Sequence, residues 1–132
     1  MKKTITSTWK VSSWDESPTD ELSEGQKFTH ARVEKSYSGD MDGKGVVEYV
    51  MAYFSETEAE FAGVEYFDGN IGERSGTFMF RHTGKFSGGV VSSKWQVVAG
   101  SGRGELEGLS GGVKFEGGHE AEYHIEFEYE LD

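Results

Sequence analysis

From Glu120 to Leu131 the chain alternates without a break. Ala121, Tyr123, Ile125, Phe127, Tyr129 and Leu131 are apolar, and Glu120, Glu122, His124, Glu126, Glu128 and Glu130 between them are polar. Successive side chains of a strand point to opposite faces, so this period of two predicts a strand with one face in a core and an acidic face in water. A helix would scatter the same residues around its circumference. The pattern calls for a sheet, and the apolar face of a sheet must be covered by another layer.

Seven further segments, 4–14, 28–38, 46–54, 60–71, 77–86, 90–99 and 112–116, are rich in β-branched or aromatic residues and end at Gly, Asp, Asn or Ser clusters. With 120–131 they predict eight strands in an antiparallel meander. Sustained helical periodicity is absent; Ser17 and Pro18, followed by Asp20 and Glu21, allow one helical turn at most. Without helices to cover it, such a sheet closes on itself or splits into two layers, and closure abolishes the edges. The expected fold is all-β: an eight-stranded antiparallel closed barrel, lipocalin-like in general shape, forming a single domain over 1–132. A barrel of eight strands has an interior just wide enough to be filled by side chains or to hold one small ligand.

Composition narrows the function classes. With 24 acidic and 13 basic side chains the net charge is −11, which repels phosphate backbones and anionic lipid surfaces, so neither nucleic acid nor membrane is an expected partner. The absence of cysteine removes disulfides, thiolate metal sites and a cysteine nucleophile, and fits a reducing compartment. Met1, Lys2, Lys3 and Thr4 imitate the start of an export signal, but residues 5–13 supply no apolar run; a cytoplasmic protein is expected.

Turn chemistry suggests which side chains meet inside. A four-residue turn over Gly72, Glu73, Arg74 and Ser75 would place Phe67 opposite Phe80 and Glu65 opposite His82. A two-residue turn at Gly88 and Gly89 would place His82 opposite Trp95, Phe80 opposite Val97 and Phe78 opposite Ala99. Between the third and fourth strands the register is open: a loop of four residues brings Glu48 beside Glu65 and completes a row Lys35, Glu48, Glu65, His82, whereas a one-residue slip turns Val47, Tyr49, Met51 and Tyr53 inward instead.

A carboxylate meeting an imidazole on an aromatic wall is acid–base equipment, since apolar surroundings raise a carboxyl pKa and a neighbouring base lowers it. The same two groups can equally satisfy each other as a buried structural pair. Glu65 and His82 are therefore the catalytic candidates, and Phe67, Phe80, Trp95, Lys35, Glu48, Ser101 and Arg103 the ligand-binding candidates. No metal or other cofactor is expected: His119 and His124 are five apart and face opposite ways on a continuous strand. The glycine-rich tract 100–111 lacks the Gly-Lys-Ser/Thr ending of a phosphate loop. It reads instead as a tight connection whose Leu106 and Leu109 plug a barrel end, with Ser101 and Arg103 at the barrel mouth as the alternative.

Several stretches carry a family resemblance: Ser13 to Glu16, Ser38 to Asp40, Glu48 to Tyr53, Gly63 to Glu65, Arg74 to Phe78, His82 to Gly84 and the glycine-rich tract. In that order they resemble an uncharacterised bacterial family known only as a domain of unknown function, along nearly the whole chain. Arg103 departs from the small residue usual there. The resemblance implies a barrel like that of plant allene oxide cyclase, and it transfers no activity and no active-site residue. The expected function is the binding of a small apolar or amphipathic molecule in the barrel. One alternative is an isomerase or cyclase using Glu65 and His82; another is a filled barrel acting through its surface or by self-association as a homodimer.

Overall fold

The computed structural model of the protein describes residues 2–131. Nine strands follow one another: β1 (Lys2–Glu21), β2 (Lys27–Gly39), β3 (Met41–Tyr53), β4 (Glu58–Ile71), β5 (Arg74–Ser87), β6 (Val90–Val97), β7 (Arg103–Gly104), β8 (Ser110–Gly117) and β9 (Tyr123–Glu130). β1 to β6 form a meander, β6 pairs with β8, β8 with β9, and β9 with β1, all antiparallel, so eight strands close into a barrel. The ninth, β7, adds two residues to the outer end of β5 through Gly76↔Gly104 and Thr77↔Arg103. Among the described residues no helix is long and apolar enough to cross a membrane.

The alternation along the last strand holds: Ile125, Phe127 and Tyr129 are buried, while His124, Glu126 and Glu128 are exposed. The helical turn allowed at Ser17 does not form. β1 instead runs extended to Glu21 and pairs with β2 from Ser7 to Glu21, with irregularities between Val11 and Ser13 and between Pro18 and Asp20. The reason is topological. β9 pairs only with Lys2 to Trp9, so beyond Trp9 one side of β1 has no β9 partner, and a proline that lacks an N–H is tolerated on such an edge and at a bulge.

The turn joining β4 to β5 contains two residues rather than four. Ile71 pairs with Arg74, and Gly72, at φ 61°, occupies the first central position, where a two-residue hairpin favours glycine. Every β4–β5 pair is therefore displaced by two residues from expectation: Phe67 faces Phe78, Glu65 faces Phe80 and Gly63 faces His82. A shift of two leaves each side chain on its expected face. The Gly88–Gly89 turn forms as expected and pairs His82 with Trp95 and Phe80 with Val97, but that ladder ends there, so Phe78 and Ala99 are not paired.

Packing divides the barrel along its length. At the end where β5 begins, Phe67, Phe78, Phe80, Phe127, Met41 and Leu106 are fully buried and fill the interior. Leu106 and Leu109 plug this end from the glycine-rich tract. A smaller cluster of Ala31, Val33, Val47 and Met51 lies on β2 and β3. At the other end, where β5 finishes, the interior is not filled.

Candidate functional site

Three strands bring four polar side chains into the middle of the barrel. β2 contributes Lys35 and Tyr37, two residues apart and hence on one face; β4 contributes Glu65 and β5 contributes His82. One Glu65 oxygen, Oε1, accepts hydrogen bonds from His82 Nε2 at 2.7 Å and from Lys35 Nζ at 3.3 Å; the other, Oε2, accepts one from the Tyr37 hydroxyl at 2.5 Å. Glu65 and His82 are wholly inaccessible to solvent and Lys35 is 2% exposed. Gly45 on β3 leaves the necessary room, because a Cβ there would collide with Glu65 Oε2.

Burial alone would raise the Glu65 pKa, but the Lys35 charge and the bonds from His82 and Tyr37 outweigh it and hold the carboxyl down at about 2. Burial lowers the His82 pKa; the Glu65 bond resists and the Lys35 charge reinforces the fall, so the imidazole is neutral at neutral pH. A neutral imidazole facing an ionised carboxylate must carry its proton on Nε2. Its Nδ1 is then a bare acceptor, and it has no hydrogen-bond partner. Burial also lowers the Lys35 pKa against the pull of Glu65, and burial beside that anion raises Tyr37 well above the usual phenol range. The cluster is an ion pair with two neutral donors, and its formal charges cancel.

Trp9 and Trp95 close over it. The Lys35 ammonium lies 4.2 Å from the Trp9 ring centroid and 4.3 Å from that of Trp95, within cation–π range. His82 packs against Trp95 at 4.7 Å and meets the edge of Tyr49 at 5.7 Å. Trp9, Tyr49 and Trp95 thus separate the charges from a cavity of about 410 Å³ in the unfilled end of the barrel. Trp14, Tyr53, Phe61, Phe115 and Tyr123 continue its wall, and Ser93 and His119 add polar groups. Trp14 stacks over Tyr49 at 6.4 Å. At the edge of this part of the wall, Glu16 accepts hydrogen bonds from Trp14 Nε1 (3.1 Å), Thr29 Oγ1 (2.7 Å) and the Tyr53 hydroxyl (2.7 Å). Partial burial disfavours its charge, but those three bonds and the Lys27 charge hold the carboxyl below its ordinary value.

Of the expected row, Lys35, Glu65 and His82 come together and Glu48 does not. The open register resolves as Val47↔Glu65, which turns Val47, Tyr49, Met51 and Tyr53 inward and Glu48 outward, where it pairs with His30 at 2.7 Å and Arg32 at 2.6 Å. Among the expected ligand-binding residues Trp95 lines the cavity, whereas Phe67 and Phe80 belong to the filled end. Ser101 and Arg103 sit at the opposite end from the cavity. There the Ser101 hydroxyl accepts the Met79 N–H at 3.0 Å, and Arg103 Nη1 donates to the carbonyls of Gly100 and Gly102 at 2.8 Å each. The sequence reading missed Tyr37, although its place two residues beyond Lys35 put it on the same face. It also missed Glu16, because that segment was read as the end of a strand and a helical turn.

No curated protein matches the chain. A crystal structure of a protein of unknown function from the DUF3224 family of Shewanella oneidensis MR-1 superposes with a TM-score of 0.79 at 20% identity, covering 100% of this chain and 99% of that one; this likeness shows the fold. The model of the same family, described as a protein of unknown function, matches residues 5–129. The protein therefore belongs to the DUF3224 family.

Proposed function

We propose that this protein binds a small apolar or amphipathic molecule in the open end of its barrel, as a carrier or sensor in the cytoplasm. The observation that carries the reading is the cavity of about 410 Å³ walled by tryptophan, tyrosine and phenylalanine. Small-molecule sites are commonly clefts of roughly 300 to 1,000 Å³ with mostly apolar walls and a few polar groups that fix orientation. Leaving so many large aromatic side chains around unfilled space forgoes packing that the other end of the barrel achieves.

Binding is favoured over catalysis by where the acid–base pair lies. Neither Glu65 nor His82 lines the cavity, and a catalytic group must come within hydrogen-bond reach of the reacting atoms. A carboxyl held at about 2 is also a weak base near neutral pH. The pair supports the floor of the site and does not face its occupant.

The test uses N-phenyl-1-naphthylamine, an uncharged dye that brightens in apolar surroundings. The wild type is expected to show saturable enhancement with one site per chain, and Val91→Trp, which fills the cavity from β6, is expected to abolish it while unfolding at a similar urea concentration. Linear, unsaturable enhancement, or equal binding by the filled variant, would refute the reading.

A further inference from the structure

The charge on the walls of the cavity points further than its size. Aromatic side chains from most of the barrel strands face the space, and among the described residues its lining includes no lysine, arginine, aspartate or glutamate. Lys35, beneath the floor, is sealed off and already bound to Glu65. An anion entering the cavity would shed its hydration without an ammonium or guanidinium on the wall to replace it.

A cation would meet the opposite situation. Ring faces carry negative potential, and three rings of this wall already hold ammonium groups of the chain itself: Lys35 over Trp9 and Trp95, and Lys27 over Tyr53 at 4.8 Å. What they do for lysine, the cavity-facing sides of Trp14, Tyr49, Phe61 and Tyr123 can do for a ligand, with Trp14 stacked on Tyr49 and Tyr123 on Trp9 so that each of these stacked rings has one further face to offer. Glu16 strengthens the effect. Its carboxylate accepts the indole N–H of Trp14 and the hydroxyl of Tyr53, which polarises both rings and sets a negative charge at their edges, partly offset by the Lys27 charge. The net charge of −11 attracts cations from a distance.

We propose that the cavity takes an organic cation, an alkyl- or arylammonium compound held by aromatic faces with the Glu16 carboxylate at the edges of Trp14 and Tyr53, and that it rejects fatty-acid-like anions. This rests on the cavity being a ligand site and adds the charge class of the ligand. Lys27 covers the Tyr53 ring and Lys35 the Trp9 and Trp95 rings, but neither ammonium is part of the cavity lining.

Three probes of similar shape separate the possibilities by isothermal titration calorimetry: phenyltrimethylammonium, 4-tert-butylphenol and 4-tert-butylbenzoate. The cation is expected to bind about tenfold more tightly than the phenol, as for a largely desolvated cation–π contact, and the benzoate most weakly. Glu16→Gln, which keeps the hydrogen-bonding shape, is expected to weaken the cation several-fold and leave the phenol nearly unchanged. Equal or tighter binding of the phenol or the benzoate overturns the proposal, as does a Glu16→Gln variant that weakens cation and phenol alike. If charge order fails while N-phenyl-1-naphthylamine still saturates one site, only the charge assignment is lost. If neither the dye nor any of the three probes binds, the ligand site itself is refuted.

Discussion

Replacing Glu65 by glutamine keeps the outline of the side chain and removes its charge. The Lys35 side chain is 1% exposed, and Glu65 is its ion-pair partner. In Glu65→Gln the folded protein must either hold an unpaired ammonium against the Trp9 and Trp95 rings or release the proton. Release sets the ceiling. Discharging a lysine of ordinary pKa 10.5 near pH 7 takes about 1.4 kcal/mol for each of roughly 3.5 units, or about 5 kcal/mol. Breaking a buried pair from one side generally costs about 3 to 5 kcal/mol. A loss of about 3 to 5 kcal/mol near pH 7 is therefore expected.

The pH dependence distinguishes this cause from ordinary repacking. In the variant, Lys35 is protonated up to about 10.5 when unfolded but loses its proton much earlier when folded. The unfolded state binds more protons across that window, so stability rises with pH by up to about 1.4 kcal/mol per unit, and the deficit against wild type shrinks toward pH 10. Urea unfolding followed by tryptophan fluorescence, at several pH values and constant ionic strength, measures it. Adding Lys35→Met to Glu65→Gln removes both members of the pair and should recover most of the loss. A deficit under about 1 kcal/mol near pH 7, or one equally large near pH 10, would show that Lys35 is not a desolvated charge.

Three further outcomes follow from the same geometry. In the wild type, Glu65 titrates at about 2 when folded and at 4.5 when unfolded, so stability present above pH 4.5 is lost as the pH falls toward 2, by about 3 kcal/mol; the depressed His82 pKa starts the decline below about 6.5, since the unfolded imidazole takes a proton that the buried one resists. Urea midpoints between pH 7 and 3 should trace this decline, and Glu65→Gln should be flatter below 4.5. Gly45→Ala drives a methyl group into Glu65 Oε2 and to 3.1 Å from the Tyr37 ring, and overpacking of this kind should destabilise the protein by about 1 to 3 kcal/mol; an unchanged urea midpoint would mean that the cluster can shift freely. Leu106→Ala should lose about 2 to 5 kcal/mol through the cavity it leaves in the plugged end, yet bind N-phenyl-1-naphthylamine as the wild type does, because Leu106 lies at the other end of the barrel; an affinity changed more than several-fold would contradict that separation.

Much of this architecture is local in origin and was legible in the chain. The alternation in 120–131, the glycine-bounded strands and the paired glycines at 88 and 89 each depend on side-chain direction or on a turn of few residues, and such features survive into the fold because a sheet repeats every two residues. The same periodicity protected the placement of Glu65 and His82: their register moved by two, which preserves the face, and they still meet at 2.7 Å across a diagonal.

A displacement of one residue has no such protection. Glu48 and Tyr49 exchange faces on the length of a single loop, and only pairing along all of β3 and β4 sets Tyr49 against Gly63 and sends Glu48 outside. Likewise the sequence shows that Trp9, Trp14, Phe61 and Phe115 exist, but not that one half of the barrel packs solid while the other stays open. That division depends on where the glycine-rich tract inserts its leucines and on how far β1 continues past the end of its pairing with β9. Alternation along a strand is written residue by residue; the space left between distant strands is a property of closure, and closure exists only once all eight have met.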